Sequence, residues 1–182
     1  MTLTTAAVLG TGAWGTTFAQ VLADAGVDVT MWGRNADTIS FINGGENPTY
    51  LPGIALSDRI SATAEITEAV AGRELVVVAV PVKAVRATLS AAREAFAPGV
   101  ALLSLAKGLE LGSLKRVDQI IAEASGVSAS RIAVLSGPNL SREIAERQPT
   151  ATVVAASDVE LAKEIAKACH NSYFRPYVST DV

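Results

Sequence analysis

The most constraining feature of this chain is a six-residue turn, Gly10-Thr11-Gly12-Ala13-Trp14-Gly15. It lies between a short apolar run at 6–9 and an amphipathic stretch at 16–25. Strand, glycine turn and helix in that order give a G-x-G-x-x-G match its meaning. Gly10 permits the tight turn, Gly12 lets the backbone approach a pyrophosphate, and Gly15 lets the helix pack closely on the strand. The pyrophosphate of a dinucleotide would rest on unpaired N–H groups at the helix N-terminus, where the partial positive charge favours an anion.

The rest of the chain repeats the alternation that the turn begins. Apolar, β-branched runs at 5–9, 27–32, 75–80, 100–105, 132–135 and 151–156 read as strands, with one more expected within 173–182. Several carry apolar residues at consecutive positions, as expected where helices cover both faces of a parallel sheet. Helices are expected at 16–25, 37–43, 84–95, 114–125, 140–146 and 159–171, with Asp158 as the N-cap of the last. Gly26, Gly72, Gly99 and Gly126 punctuate helix ends or the approach to a strand. Strand and helix in alternation imply a doubly wound α/β sheet. With 182 residues, 49% of them hydrophobic, the chain is expected to fold as one globular domain over 1–182.

Composition excludes several functions. A formal charge of −3 spread along the chain offers no basic patch for nucleic acid. The single cysteine, Cys169, excludes an intramolecular disulfide and fits a reducing compartment. No Cys/His cluster has metal-ligand spacing. The longest apolar run, at 75–82, is far short of the ~20 residues a membrane helix needs. The N-terminus lacks the pattern of a secretory signal, so a cytoplasmic location is expected. His170 lies in a polar helix end, where a C-capping role fits better than catalysis, and Cys169 reads as a small buried side chain.

The cofactor type follows from the second strand. A site for NAD usually places an acidic residue at that strand's end, on the ribose hydroxyls. Here Asp28 stands at its beginning, and Arg34 at its tip, where a guanidinium can pair with a 2′-phosphate. Tighter binding of NADPH than of NADH is therefore expected. Lys107 follows the run at 100–105 and so falls at the carboxyl end of a strand, where open α/β sheets place their sites. A turn-rich segment at 44–53, with Tyr50 among its glycines and prolines, reads as a surface excursion.

Six motifs in order carry a resemblance that covers essentially the whole chain. They are Gly10-Thr11-Gly12-Ala13-Trp14-Gly15, Trp32-Gly33-Arg34-Asn35, Asn47-Pro48-Thr49-Tyr50-Leu51-Pro52, Ala79-Val80-Pro81, Ala106-Lys107-Gly108-Leu109-Glu110 and Leu135-Ser136-Gly137-Pro138-Asn139-Leu140. With them the chain resembles the N-terminal cofactor domain of bacterial NAD(P)-dependent glycerol-3-phosphate dehydrogenase. The resemblance implies a Rossmann-type fold and interconversion of dihydroxyacetone phosphate and sn-glycerol 3-phosphate for glycerophospholipid synthesis. It also implies NADP or NAD as cofactor, of which Arg34 favours NADP, and a homodimeric full-length enzyme.

Residue by residue, the resemblance implies that Ala13 and Trp14 line the cofactor and that Arg34 and Asn35 hold its adenosine end. It places Lys107 between nicotinamide and substrate, Gly137 and Asn139 on the substrate, and Ser141 on the cofactor. There are departures. Asn139 stands where many members carry Ser or Thr, Ser141 where a small Ala is usual, and Val82 where a Ser is common. The family's proton-transferring lysine belongs to a Gly-Ala-Leu-Lys-Asn-Val segment shortly after an Asp-Val pair, and the sequence stops at Asp181-Val182. The catalytic lysine and the helical substrate domain are thus expected outside these residues, and this chain is expected to turn over little on its own. On the glycines alone, a Rossmann domain of ketopantoate reductase or 6-phosphogluconate dehydrogenase, or a non-catalytic nucleotide sensor, stays open. Trp14, Lys107-Gly108 and Ser136-Gly137-Pro138 favour glycerol 3-phosphate.

Overall fold

The computed structural model describes residues 3–182. In chain order its main elements are β1 (Thr5–Leu9), α1 (Ala13–Asp24), β2 (Asp28–Trp32), α2 (Ala36–Asn43), β3 (Glu46–Asn47), β4 (Leu51–Ala55), β5 (Ile60–Thr63), α3 (Ile66–Val70), β6 (Leu75–Val78), α4 (Val82–Ala92), β7 (Ala101–Ser104), α5 (Val117–Ser125), β8 (Ile132–Ser136), α6 (Ser141–Ala145), β9 (Thr150–Ala156), α7 (Val159–Cys169) and β10 (Phe174–Ser179). Among the described residues, eight strands form one sheet in the order β10-β9-β8-β7-β6-β1-β2-β5, and β3 pairs with β4 in a separate hairpin. All neighbours run parallel except β8 and β9, which pair antiparallel; β10 follows β9 in parallel. The sheet is thus doubly wound and mostly parallel, with its direction reversed at one edge.

The consecutive apolar residues have the physical reason expected of them. In β1, Ala6 and Val8 face a core built with Phe18, Leu22, Ile42, Leu161 and Ile165, so α1, α2 and α7 cover that face. Ala7 and Leu9 face the other core, with Val85, Leu89, Ile120 and Ile121 from α4 and α5. The strand residues are fully buried on both sides, which a one-sided sheet would not allow. Phe18 anchors the first core: its ring meets Trp14 edge-on at 5.8 Å and Phe174 at 6.0 Å, joining the start of α1 to the far edge strand.

Several boundaries differ from those read in the sequence. Helix α1 starts at Ala13, three residues early, because the residue after Gly12 is already helical and Gly15 lies inside the helix. Strand β6 ends at Val78 because Pro81, with no N–H to offer a ladder, takes the N-cap position of α4. Helix α5 begins at Val117, not 114: Leu114 holds a left-handed φ of 55° inside a tight loop closed by Glu110 N–H to Lys115 O at 3.0 Å. Short α3 and β5 have no counterpart in the sequence pattern, and the segment at 44–53 is mostly exposed, as expected of a surface excursion, but it is ordered and anchored at two points. It forms the β3–β4 hairpin, with Asn47 fully buried and Leu51 2% exposed.

Asp158 caps α7 as expected, its carboxylate accepting from Glu160 N–H at 2.9 Å, and His170 occupies the C-cap of the same helix. Cys169 is fully buried, and desolvation pushes its thiol up to about 12. A thiol reagent at about pH 8 should therefore find no reactive group in the native protein and one equivalent after unfolding. Labelling of the native chain at the rate of an ordinary thiol would contradict the packing around α7.

Candidate functional site

The sheet order places a topological switch at β1. The chain leaves β1 toward β2 on one side and later returns to lay β6 on the other, so a crevice opens beyond the carboxyl ends of β1 and β6. A cleft of about 380 Å³ occupies it, lined by Gly10, Thr11, Gly12, Trp32, Gly33, Arg34, Tyr50, Ala79, Val80 and Pro81.

Three glycines shape it in three ways. Gly10 has a φ of +124°, and a Cβ there would come within 2.9 Å of Ala79 O on β6's extension. A Cβ on Gly15 would collide with the Gly10 carbonyl oxygen. Gly12 is different: its φ of −72° suits any residue, and a Cβ would meet no protein atom within 4 Å. Nothing in the fold itself thus demands glycine at position 12, and the space beside it opens to the cleft.

The start of α1 is also electrically unfinished. Gly12 contributes no side-chain cap, and the first turn contains no acidic residue. Helix α2 shows the contrast, because Asn35 Oδ1 accepts from Thr38 N–H at 2.8 Å. The α1 donors and the positive end of its dipole thus face the cleft uncompensated, which is the arrangement that holds a phosphate. Trp14 sits in this first turn, half-buried against the core. Arg34 is exposed at the rim, and among the described residues it has no ion-pair partner. Asn35 has its carboxamide oxygen committed to the α2 cap, which limits what it can offer a ligand.

The expected substrate residues gather two strands away, beyond β7 and β8. Lys107 Nζ donates to Gly137 O at 2.9 Å, and a cleft of about 420 Å³ there includes Lys107, Gly108, Leu109, Val134, Ser136 and Val182. Asn139 Nδ2 donates to Thr152 Oγ1 at 3.2 Å, and Thr152 donates onward to Ser136 O at 3.0 Å. Ser141 opens α6, where its carbonyl accepts from Thr17 Oγ1 of α1 at 3.1 Å, tying this loop to the first helix. A wider cleft of about 700 Å³ lies elsewhere, between α7 and the edge strand β10, and contains none of these residues. Among the described residues no three His, Cys, Asp or Glu side chains cluster as a metal site, and no helix is long and apolar enough to cross a membrane.

The loop after Lys107 is held from α4 and α5. Arg86 forks onto Glu110 at 2.9 and 2.8 Å and reaches Glu123 at 3.1 Å, while Ser113 adds a bond to Glu110 at 2.6 Å. These donors hold the Glu110 carboxyl down at about 2. Residues with no visible role in the sequence also emerge here. Thr152 looks like any threonine of a β-strand, and Asn47, at 0% exposure, looks like any asparagine of a turn. Asn47 stands in one of the six motifs, but its role, like that of Thr152, is defined by partners elsewhere in the chain.

A glycine turn feeding an uncapped helix at the switch point of a doubly wound sheet defines a Rossmann-type dinucleotide-binding domain. Residues 5–162 match the family described as NAD-dependent glycerol-3-phosphate dehydrogenase N-terminus, and the chain belongs to that family. It is 51% identical over 178 residues to glycerol-3-phosphate dehydrogenase (NAD(P)+) of Streptomyces griseus, covering 97% of this chain and 53% of that protein. The Thermobifida fusca protein of the same name is 50% identical over 182 residues, covering 99% and 54%. Among solved structures, glycerol-3-phosphate dehydrogenase of Coxiella burnetii superposes with a TM-score of 0.91 at 28% identity, over 99% of this chain and 55% of that one. The chain spans about half the length of the curated relatives it matches.

Two outcomes test this geometry. Gly15→Ala should lower stability to urea by at least about 2 kcal/mol through backbone collision, whereas Gly12→Ala should cost less than about 1 kcal/mol. Equal losses would refute the division between packing and open space. Glu110, with its pKa lowered, stabilises the loop fully above its ordinary value of 4.5 and loses that contribution as pH falls toward about 2. The difference in melting temperature between the parent and Glu110→Gln should therefore be widest at neutral pH and shrink across that acid window. A difference that grew on acidification would contradict the ion pair.

Proposed function

We propose that this chain is the cofactor-binding half of a dehydrogenase that interconverts dihydroxyacetone phosphate and sn-glycerol 3-phosphate, with NADPH preferred over NADH. The observation that carries this reading is the cleft at the α1 N-terminus, open at Gly12 and rimmed by an unpaired Arg34. The residues fit a dinucleotide: the N–H groups of Gly12, Ala13 and Trp14 suit a pyrophosphate, and the Arg34 guanidinium suits a 2′-phosphate as a bidentate donor. The names of the relatives support the reaction. The bound nicotinamide would supply the hydride, and every other contribution comes from side chains and backbone.

Lys107 is the cation on the substrate side. Its ammonium, resting on Gly137 O, is poised to orient a phosphorylated ketone at the carboxyl end of β7. Gly137 supplies that carbonyl and Asn139 follows on the turn held by Thr152, while Ser141 ties the α6 start to α1 through its bond with Thr17. Asn35 supports the adenosine end by fixing the Arg34 turn through the α2 cap. We extend the proposal to a cytoplasmic homodimer that supplies the glycerol backbone of phospholipids.

The test is binding of reduced nucleotides to the chain, read as energy transfer from Trp14 and Trp32, its two tryptophans, to bound nicotinamide. Arg34→Ala should weaken NADPH by about tenfold or more, the worth of a charge-assisted contact, and leave NADH nearly unchanged. Equal losses for the two would remove the 2′-phosphate assignment, and no binding of either would remove the function.

A further inference from the structure

The hairpin at 46–55 reaches under the glycine turn and grips it at one atom. Asn47 is 0% exposed. Its Nδ2 donates to Thr11 O at 3.1 Å and to Thr16 Oγ1 at 2.8 Å, and Thr16 Oγ1 donates to the same Thr11 carbonyl at 3.3 Å. Thr11 O thus accepts two bonds, both from inside the fold. Asn47 Oδ1 meanwhile has no hydrogen-bond partner although it is buried. An unpaired buried acceptor is unfavourable, so what this side chain gives the fold in return is its pair of donors.

The consequence lies on the other side of the same peptide plane. In a trans peptide the C=O and the following N–H point in opposite directions. Thr11 O and Gly12 N–H belong to one such unit. Holding Thr11 O inward therefore turns Gly12 N–H outward, into the cleft, and among the described residues that N–H donates to nothing. We propose that Asn47, acting with Thr16, is the positioning residue of the pyrophosphate site: it sets the direction of the Gly12 N–H by clamping the carbonyl behind it. This rests on the cofactor reading above. It makes the hairpin part of the phosphate cradle, although neither side chain touches the ligand.

The alternative is purely structural, with Asn47 only fastening the hairpin. The two roles separate because the hairpin also carries Tyr50, which lines the cleft beside Arg34 and Trp32. A loosened hairpin would harm the adenosine end at least as much as the pyrophosphate. A turned Gly12 peptide would harm the pyrophosphate most.

The experiment compares NADPH with 2′,5′-ADP, which keeps the adenosine 2′-phosphate but only one of the two bridging phosphates, on the parent chain and three variants. For Asn47→Ala, the NADPH dissociation constant should rise at least about tenfold, and that of 2′,5′-ADP less than about threefold. In 1H–15N spectra, the Gly12 amide of the variant should be displaced before ligand is added and should lose the downfield move that NADPH causes in the parent. Thr16→Val, which removes the hydroxyl at nearly constant shape, should reproduce the loss, and Thr16→Ser should restore parental affinity; this pair decides the matter if Asn47→Ala does not fold. Unchanged NADPH affinity, or equal losses for both ligands, would overturn the proposal while leaving the cofactor reading intact. Failure of the parent chain to bind NADPH would overturn both.

Discussion

The site depends on how closely α1 approaches the sheet. Gly10, Gly15 and Ala79 meet with so little space that a single added methyl would strike backbone. This contact lets the helix begin after only three residues beyond the end of β1, Gly10 to Gly12, so its first N–H groups open directly onto the crevice instead of onto solvent farther out. It also determines where the aromatic chain runs, because Trp14 in the first turn leads through Phe18 to Phe174. One close approach thus aligns the uncapped donors at the start of α1 with the core beneath them.

Around that contact, the carboxyl edge of the sheet is built from irregular backbone held by side chains from elsewhere. Arg86 and Ser113 hold Glu110 below Lys107, Thr152 holds the turn containing Asn139, and Asn47 holds the glycine turn. Loops carrying ligand contacts have few hydrogen bonds of their own, so their shape must come from neighbours with fixed rotamers. The two cations face different tasks. Arg34 is exposed and unpaired at the rim near β2, whereas Lys107 rests on a carbonyl near β8 and already has a defined direction.

Much of this was legible in the residues. The strands at 5–9 and 132–135 show as apolar runs because both faces are buried, and that property depends on composition over a few neighbouring positions. The Asp158 cap and the place of Lys107 at a strand end are local in the same sense. The misreadings have a common cause. Helix α3 and strand β5 are too short to show a period, and Leu114 adopts a left-handed turn that its side chain does not advertise. The segment at 44–53 is mostly exposed, as its composition implies, and what composition does not show is that Asn47 and Leu51 are buried against the body of the fold.

The alternating α/β architecture, the glycine turn and the charged residues near it are readable from the residues alone, since they follow from hydrophobic period, chain flexibility and charge at adjacent positions. Packing settled the rest: that Asn47 holds the Thr11 carbonyl, that Lys107 rests on Gly137, and that Asn139 pairs with Thr152. The reason is physical: a hydrogen bond between residues 11 and 47, or between 139 and 152, leaves no period and no composition in either segment. Its partners are chosen only when helices and strands pack.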